Sequence, residues 1–198
     1  VMDGDNVITL PYSVRECNEY AASSDSEARG FLSITTIDIS NDYVSMEVDH
    51  IASSWAHVYA SPDALVFAEP ANDWWWFWRN TDYEDATNIH AFDISSEGET
   101  SYIGSGRVTG TVQVQFSISE YEGVVRVATT TGQWGRWWMA NPDPMENHVI
   151  ILQPNSTTSS LNEIGRIDGI APDERIWSAR FVEDRAYIVT FRQIDPLW

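Results

Sequence analysis

Four histidines, one cysteine and 30 acidic residues are the side chains of this 198-residue chain that could do acid–base, nucleophilic or metal chemistry. His50, His57, His90 and His148 fall in no HExxH or comparable ligand spacing, so each is expected to be a satisfied structural histidine. His57 and His90 are the pair to examine, because they fall in two strands of one predicted sheet. Cys17 stands in "VRECNEY" with no histidine beside it, which predicts an inert thiol, and a single cysteine excludes an intrachain disulfide or a Cys-based zinc site. "MDGDN" (Met2 to Asn6) has the start of a calcium loop, but Val14 stands where the bidentate glutamate is needed, so it reads as a turn between strands. No cofactor is expected; a calcium ion held by loop carboxylates and carbonyls is kept as an open alternative.

The remaining chemical motifs are weaker. "TTTG" (Thr129 to Gly132) offers hydroxyls with no base beside them, and no Ser-His-Asp or Cys-His set follows from local spacing. "GSGRVTG" (Gly104 to Gly110) precedes a strand instead of opening a helix, so it reads as a tight crossing and not as a phosphate cradle. "NST" (Asn155 to Thr157) fits a glycosylation acceptor pattern. The arginines, Arg126, Arg175, Arg180, Arg185 and Arg192 among them, are expected to form forks with carboxylates between sheets.

Charge narrows the partners. The formal net charge is −19, and all 11 basic residues are arginine. Such a field repels nucleic acid and anionic lipid, and it suits a saline or extracellular setting where salt screens self-repulsion. No run is long and apolar enough for a membrane helix, and the first residues, "VMDGDNVITL", lack the features of a signal peptide, so any export signal is expected upstream.

Helical periodicity is nearly absent, and short β-branched or aromatic runs bounded by Gly, Pro, Asp, Asn and Ser recur, which predicts an all-β chain. An acid-bearing turn precedes an apolar strand four times, at Asp5, Asp63, Glu122 and Asp184, about 60 residues apart. A long loop follows each such strand. Then come "SITTIDIS", "NIHAFDIS" and "HVIILQP", the first two ending on an acid-bearing turn, and after them "SMEVDHI", "TSYIGSGRV" and "LNEIGRIDGI". Four strands per period is the unit of a β-propeller blade. The expected architecture is therefore one partial β-propeller domain, an arc of three to three and a half four-stranded antiparallel blades. Its segments are about 1–53, 55–109, 112–170 and 175–198, and the remaining blades are expected from a longer chain or another copy.

The carboxyl-terminal stretch "GIAPDERIWSARFVEDRAYIVTFRQIDPLW" (Gly169 to Trp198) resembles a family of predicted secreted proteins with a C-terminal β-propeller domain distantly related to WD40 repeats. "VYASPDALVFAEP", "TNIHAFDIS", "GSGRVTGTVQVQFSISEYEGVVRVATTTG" and "FLSITTIDIS" are similar to the same family. The resemblance implies a propeller fold and export to the cell envelope or beyond it. It implies no catalytic residues.

Ten tryptophans are the other unusual feature. "NDWWWFWRN" places Trp74, Trp75, Trp76, Phe77 and Trp78 in the loop between the second and third strands of one blade, and "QWGRWWM" places Trp134, Trp137 and Trp138 in the equivalent loop of the next. Equivalent loops leave a propeller on one face, so the two clusters should be neighbours. In an extended run alternate side chains point opposite ways, so some rings pack inward and others are presented outward. The expected function is a non-enzymatic interaction or scaffold module whose aromatic face meets a protein or polysaccharide. The alternative is a carbohydrate-binding or hydrolytic propeller with its site near the central channel, where His57, Glu120 or Arg180 would line a pocket.

Overall fold

The computed structural model describes residues 2–3, 6–7, 20–22, 30–40, 45–53, 55–71, 85–132 and 144–191. Strand follows strand with a single short 3₁₀ turn among the described residues, Gln115–Ser117. Two meanders dominate. The first comprises β6 (His57–Ala60), β7 (Ala64–Pro70), β8 (Ala86–Asp93) and β9 (Ser101–Thr109). The second comprises β10 (Ile118–Tyr121), β11 (Val124–Thr131), β12 (Glu146–Asn155) and β13 (Ser160–Ile170). All pairings within each meander are antiparallel.

On the amino-terminal side lie β1 (Met2–Asp3), β2 (Asn6–Val7), β3 (Tyr20–Ala21), β4 (Phe31–Asp38) and β5 (Ser45–Ala52). β1 and β2 pair antiparallel, Met2 opposite Val7 and Asp3 opposite Asn6. β4 pairs with β5 antiparallel, and β3 lies parallel to β5 along its other edge. The loop predicted between the second and third strands of this blade therefore contributes an edge strand, stacked through the rings of Tyr20 and His50 at 4.8 Å. On the carboxyl-terminal side β14 (Arg175–Val182) and β15 (Arg185–Phe191) form an antiparallel pair.

The acid-bearing turns at Asp63, Glu122 and Asp184 link strands as the sequence predicts, by more than one device, while Asp5 lies outside the described residues. Ser61 Oγ accepts from the amides of Asp63 and Ala64 to close the β6–β7 turn. Glu122 and Gly123 both have positive φ, 52° and 78°, the backbone of a two-residue hairpin turn that matches strand twist. At the far end of β4, Asp38 Oδ1 accepts from Ser40 N–H (2.8 Å) and Oγ–H (2.6 Å). Asp93 repeats the same bonds with Ser95 after β8, and these hold the Asp93 carboxyl below its ordinary pKa. In the third repeat, which lacks the acid, Asn155 Oδ1 accepts from Thr157 N–H at 3.0 Å and makes the equivalent turn.

Alternation along the strands sends apolar residues to both faces, and each face is covered by a neighbouring sheet. Val66, Ala68, Ile89, Ala91 and Val108 of the first meander pack against Ile118, Val125, Val127, Ile150, Leu152 and Leu161 of the second. The opposite face of the first meander sets Phe67 and Phe92, edge-to-face at 5.8 Å, against Ile34 of β4 and Ile51 of β5. The opposite face of the second sets Ala128 and Val149 against Ile176 and Ala179 of β14. Three successive apolar layers between four sheets are blade-on-blade stacking.

The outer strands of the two meanders touch at one place. Ser105 pairs with Ser160, and Ser105 N–H donates to Ser159 O at 3.1 Å. "GSGRVTG" is this crossing: a Cβ on Gly104 would meet the Ser159 backbone at 2.6 Å, and one on Gly106 would meet Leu161 O at 2.5 Å. Glycine is required there by close approach.

Candidate functional site

Trp74, Trp75, Trp76, Phe77, Trp78, Trp134, Trp137 and Trp138 all lie outside the described residues, as do Cys17 and Arg192. What is described is where their loops begin and end. One loop leaves β7 after Ala71 and returns at Asp85; the other leaves β11 after Gly132 and returns before β12. These feet are joined directly, since Gly132 N–H donates to Asp85 Oδ2 at 2.7 Å. Around that bond, Gly110 N–H donates to Asp85 O, Thr87 Oγ1 to Gly110 O, and Thr111 pairs with Thr130.

Close in sequence to the described ends of the two loops are two histidine networks that local spacing could not reveal, one reaching Thr131 beside Gly132 and the other Glu69 near Ala71. In the second meander His148 is buried, with Nδ1 2.6 Å from Asp168 Oδ1 and Nε2 3.1 Å from Thr131 Oγ1. "TTTG" thus does have an imidazole beside it, supplied by the neighbouring strand, contrary to the sequence expectation. Hydroxyl, imidazole and carboxylate stand in the order of a hydrolytic triad. Their bonds are nevertheless committed to structure. The Thr131 hydroxyl donates to Glu146 O at 3.3 Å. Gly132 N–H, the adjacent amide that would serve a developing oxyanion, is taken by Asp85. Arg166, doubly bonded to Glu163 at 2.7 and 2.8 Å, approaches Asp168 at 3.6 Å and completes the clasp. That pairing holds the Glu163 carboxyl low and the Arg166 guanidinium high.

In the first meander Glu69 Oε1 lies 3.3 Å from His90 Nε2 and 3.5 Å from Asn88 Nδ2, and all three residues are buried. His57 is not part of it. His57 is opposite Ala68 and His90 is opposite Phe67, so the two imidazoles project from opposite faces of one sheet. His57 packs edge-on against Trp55 at 4.5 Å. Burial pulls its pKa below the usual imidazole value, against a smaller opposing effect of a backbone hydrogen bond to Val112. Among the described residues no three His, Cys, Asp or Glu side chains gather as a metal site would require.

At the other edge of the sheets the first strands β6 and β10 converge with β14 around a cavity of about 470 Å³. Arg180 and Phe116 are in its wall, the guanidinium 5.2 Å from the ring centroid. Of the three side chains expected at a central pocket, Arg180 is in this wall, while Glu120 is engaged beside it: its Oε2 accepts from Ser61 Oγ at 3.1 Å and its Oε1 from Gly123 N–H at 2.9 Å, tying one blade to the next. Arg126 is also not the expected fork. Its guanidinium lies 4.9 Å from the Tyr121 ring and 5.0 Å from that of Phe181, donating to Ser119 Oγ and Glu183 O. Arg175 likewise stands 5.4 Å from the Trp177 ring. Among the described residues these arginines are held by aromatic faces, where a planar cation is well matched. Glu122, with Glu183 and Asp184 behind it, pushes the Tyr121 hydroxyl pKa up.

Four-stranded meanders stacked face to face, with first strands converging on one side and long loops leaving together at an end, define a β-propeller. The chain belongs to the β-propeller domain family, whose model matches residues 10–198. It is 35% identical over 122 residues to an uncharacterized protein of Methanocaldococcus jannaschii, covering 61% of this chain and 17% of that protein. It is 31% identical over 166 residues to an uncharacterized protein of Archaeoglobus fulgidus, covering 81% of this chain and 23% of that one. The chain thus spans less than a quarter of the length of either relative. No solved structure matches it significantly.

Proposed function

We propose that the chain is a non-enzymatic interaction or scaffold module of the cell envelope or extracellular space. Its contact surface is the face bearing the loops of Trp74 to Trp78 and of Trp134, Trp137 and Trp138, and its partner is a protein or a polysaccharide. The bond from Gly132 N–H to Asp85 Oδ2 carries this reading, because it fixes the two aromatic loops to neighbouring points of departure. Rings presented together make a larger desolvating surface than either loop alone, and tryptophan suits both sugar faces and protein hot spots. The hydroxyl–imidazole–carboxylate set of Thr131, His148 and Asp168 supports the same reading, since its bonds brace strands instead of activating a nucleophile. The net charge of −19 favours a setting outside the cell and disfavours nucleic acid or anionic membrane as partner.

The test is capture of envelope proteins and glycans by the chain and by a variant carrying Trp75, Phe77, Trp137 and Trp138 changed to alanine. Partners held by the first and lost by the second support the aromatic face. Partners retained equally by both sink it.

A further inference from the structure

The cavity between β6, β10 and β14 combines three features that together point to a ligand. First, Arg180 lies in its wall with no carboxylate partner among the described residues, in a chain with 30 acidic side chains. Glu120, next to the wall residue Ser119 in sequence, is engaged by Ser61 and Gly123 instead. Second, Arg126 stands behind the wall formed by Ser119 and Phe181, more than nine-tenths buried, and bonds neutral oxygens only. Its Nε has no acceptor among the described residues. Two guanidinium groups, neither ion-paired among the described residues and one of them desolvated, favour an anion in the space they flank. Third, the wall is amphipathic. Val58 and Phe116 are 43% and 48% exposed, and Tyr59 and Gln115 add a hydroxyl and an amide. The volume, about 470 Å³, is in the range of sites for small organic molecules.

We propose that this cavity is a binding site for a carboxylate-bearing sugar. Arg180 receives the carboxylate, while Arg126 is a positioning residue that raises the local potential from behind Ser119. The Phe116 ring holds the Arg180 guanidinium in place from one side, leaving its N–H edge for a two-pronged contact with a carboxylate. The apolar surface of Val58 faces the carbon side of the sugar ring, and Tyr59 and Gln115 meet its hydroxyls. This site is separate from the aromatic-loop face and does not depend on it.

Titration calorimetry of the whole chain with a galacturonic acid trimer, and with the neutral galactose trimer as control, tests the proposal. The acidic trimer is expected to bind at least ten-fold more tightly than the neutral one, and more weakly as salt is raised. Arg180→Gln is expected to weaken acidic-trimer binding about 10- to 100-fold, as loss of a charged hydrogen bond does, and Arg180→Lys to recover part of it. Arg180 is an exposed side chain, so the variants are expected to keep the parent's melting curve. The variant with Trp75, Phe77, Trp137 and Trp138 changed to alanine is expected to bind the acidic trimer as the parent does. Equal binding of the two trimers, no binding at millimolar concentration, full affinity in Arg180→Gln, or loss of binding in the aromatic-loop variant would each overturn it.

Discussion

Leu152→Ala probes the blade stacking at its centre. Leu152 is 0% exposed on β12, opposite both Val125 and Glu163, in the layer shared by the two meanders. The substitution removes three buried carbon groups, about 2.4 kcal/mol of transfer free energy at ~0.8 kcal/mol each. Sheets pinned on both faces relax little into the space, so a cavity contribution of about 1 kcal/mol or more adds to it, giving a destabilisation of about 3–4 kcal/mol. Urea denaturation of parent and variant measures this directly, and the melting temperature should fall by roughly 6–16 °C for a domain of this size. Ile167→Ala is the companion: this residue of β13 is 60% exposed and should change stability by less than about 0.5 kcal/mol. A cost below about 1 kcal/mol for Leu152→Ala, or equal costs for the two, would refute the claim that this layer is the interior of the molecule.

Three further outcomes follow from named contacts. Gly106→Ala would place a Cβ 2.5 Å from Leu161 O and should cost about 1–3 kcal/mol, seen as a lower denaturation midpoint. Asn147→Ala should cost about 2–4 kcal/mol in the same assay, because fully buried Nδ2 donates to Ile170 O and Glu174 O at 2.8 Å while Oδ1 accepts from Thr130 Oγ1 at 2.7 Å. His57 titrates below its unfolded value, so unfolded chains take up the proton first. Its contribution is whole above about pH 6.5 and is lost as pH falls towards the depressed folded value. Chemical denaturation at pH 7.5 and 5.5 should therefore show a smaller loss of stability for His57→Gln than for the parent; an identical loss would contradict the assigned burial effect.

Turns and strands were legible in the sequence because their signals are local. Asp63, Glu122 and Asp184 mark hairpins because a tight reversal needs particular backbone angles or a side-chain acceptor nearby, and the "DIS" turns carry both acceptor and donor within three residues. The glycines of the crossing at Gly104 and Gly106 were legible, but the partners they approach, Ser159 and Leu161, were not. Everything decided by register was hidden. Thr131, His148 and Asp168 come from three strands and meet only because β11, β12 and β13 pair as they do. His57 and His90 diverge because of one residue of offset on a pleated sheet. Arg126, expected to fork a carboxylate, stacks between Tyr121 and Phe181 because those rings arrive from β10 and β14. The edge pairing of Tyr20 and Ala21 with β5 had no periodic signal at all, since two residues are too short to alternate.

The central claim is that the two meanders are blades stacked on neighbours at both faces, with their middle strands at the heart of each layer. Amide hydrogen exchange read peptide by peptide tests it most directly. The slowest exchange is predicted in β7, β8, β11 and β12, whose residues are buried on both faces, with faster exchange in β14 and β15, whose pairing has an exposed face. Slow exchange concentrated in β14 and β15, or rapid exchange throughout β8 and β12, would contradict the account.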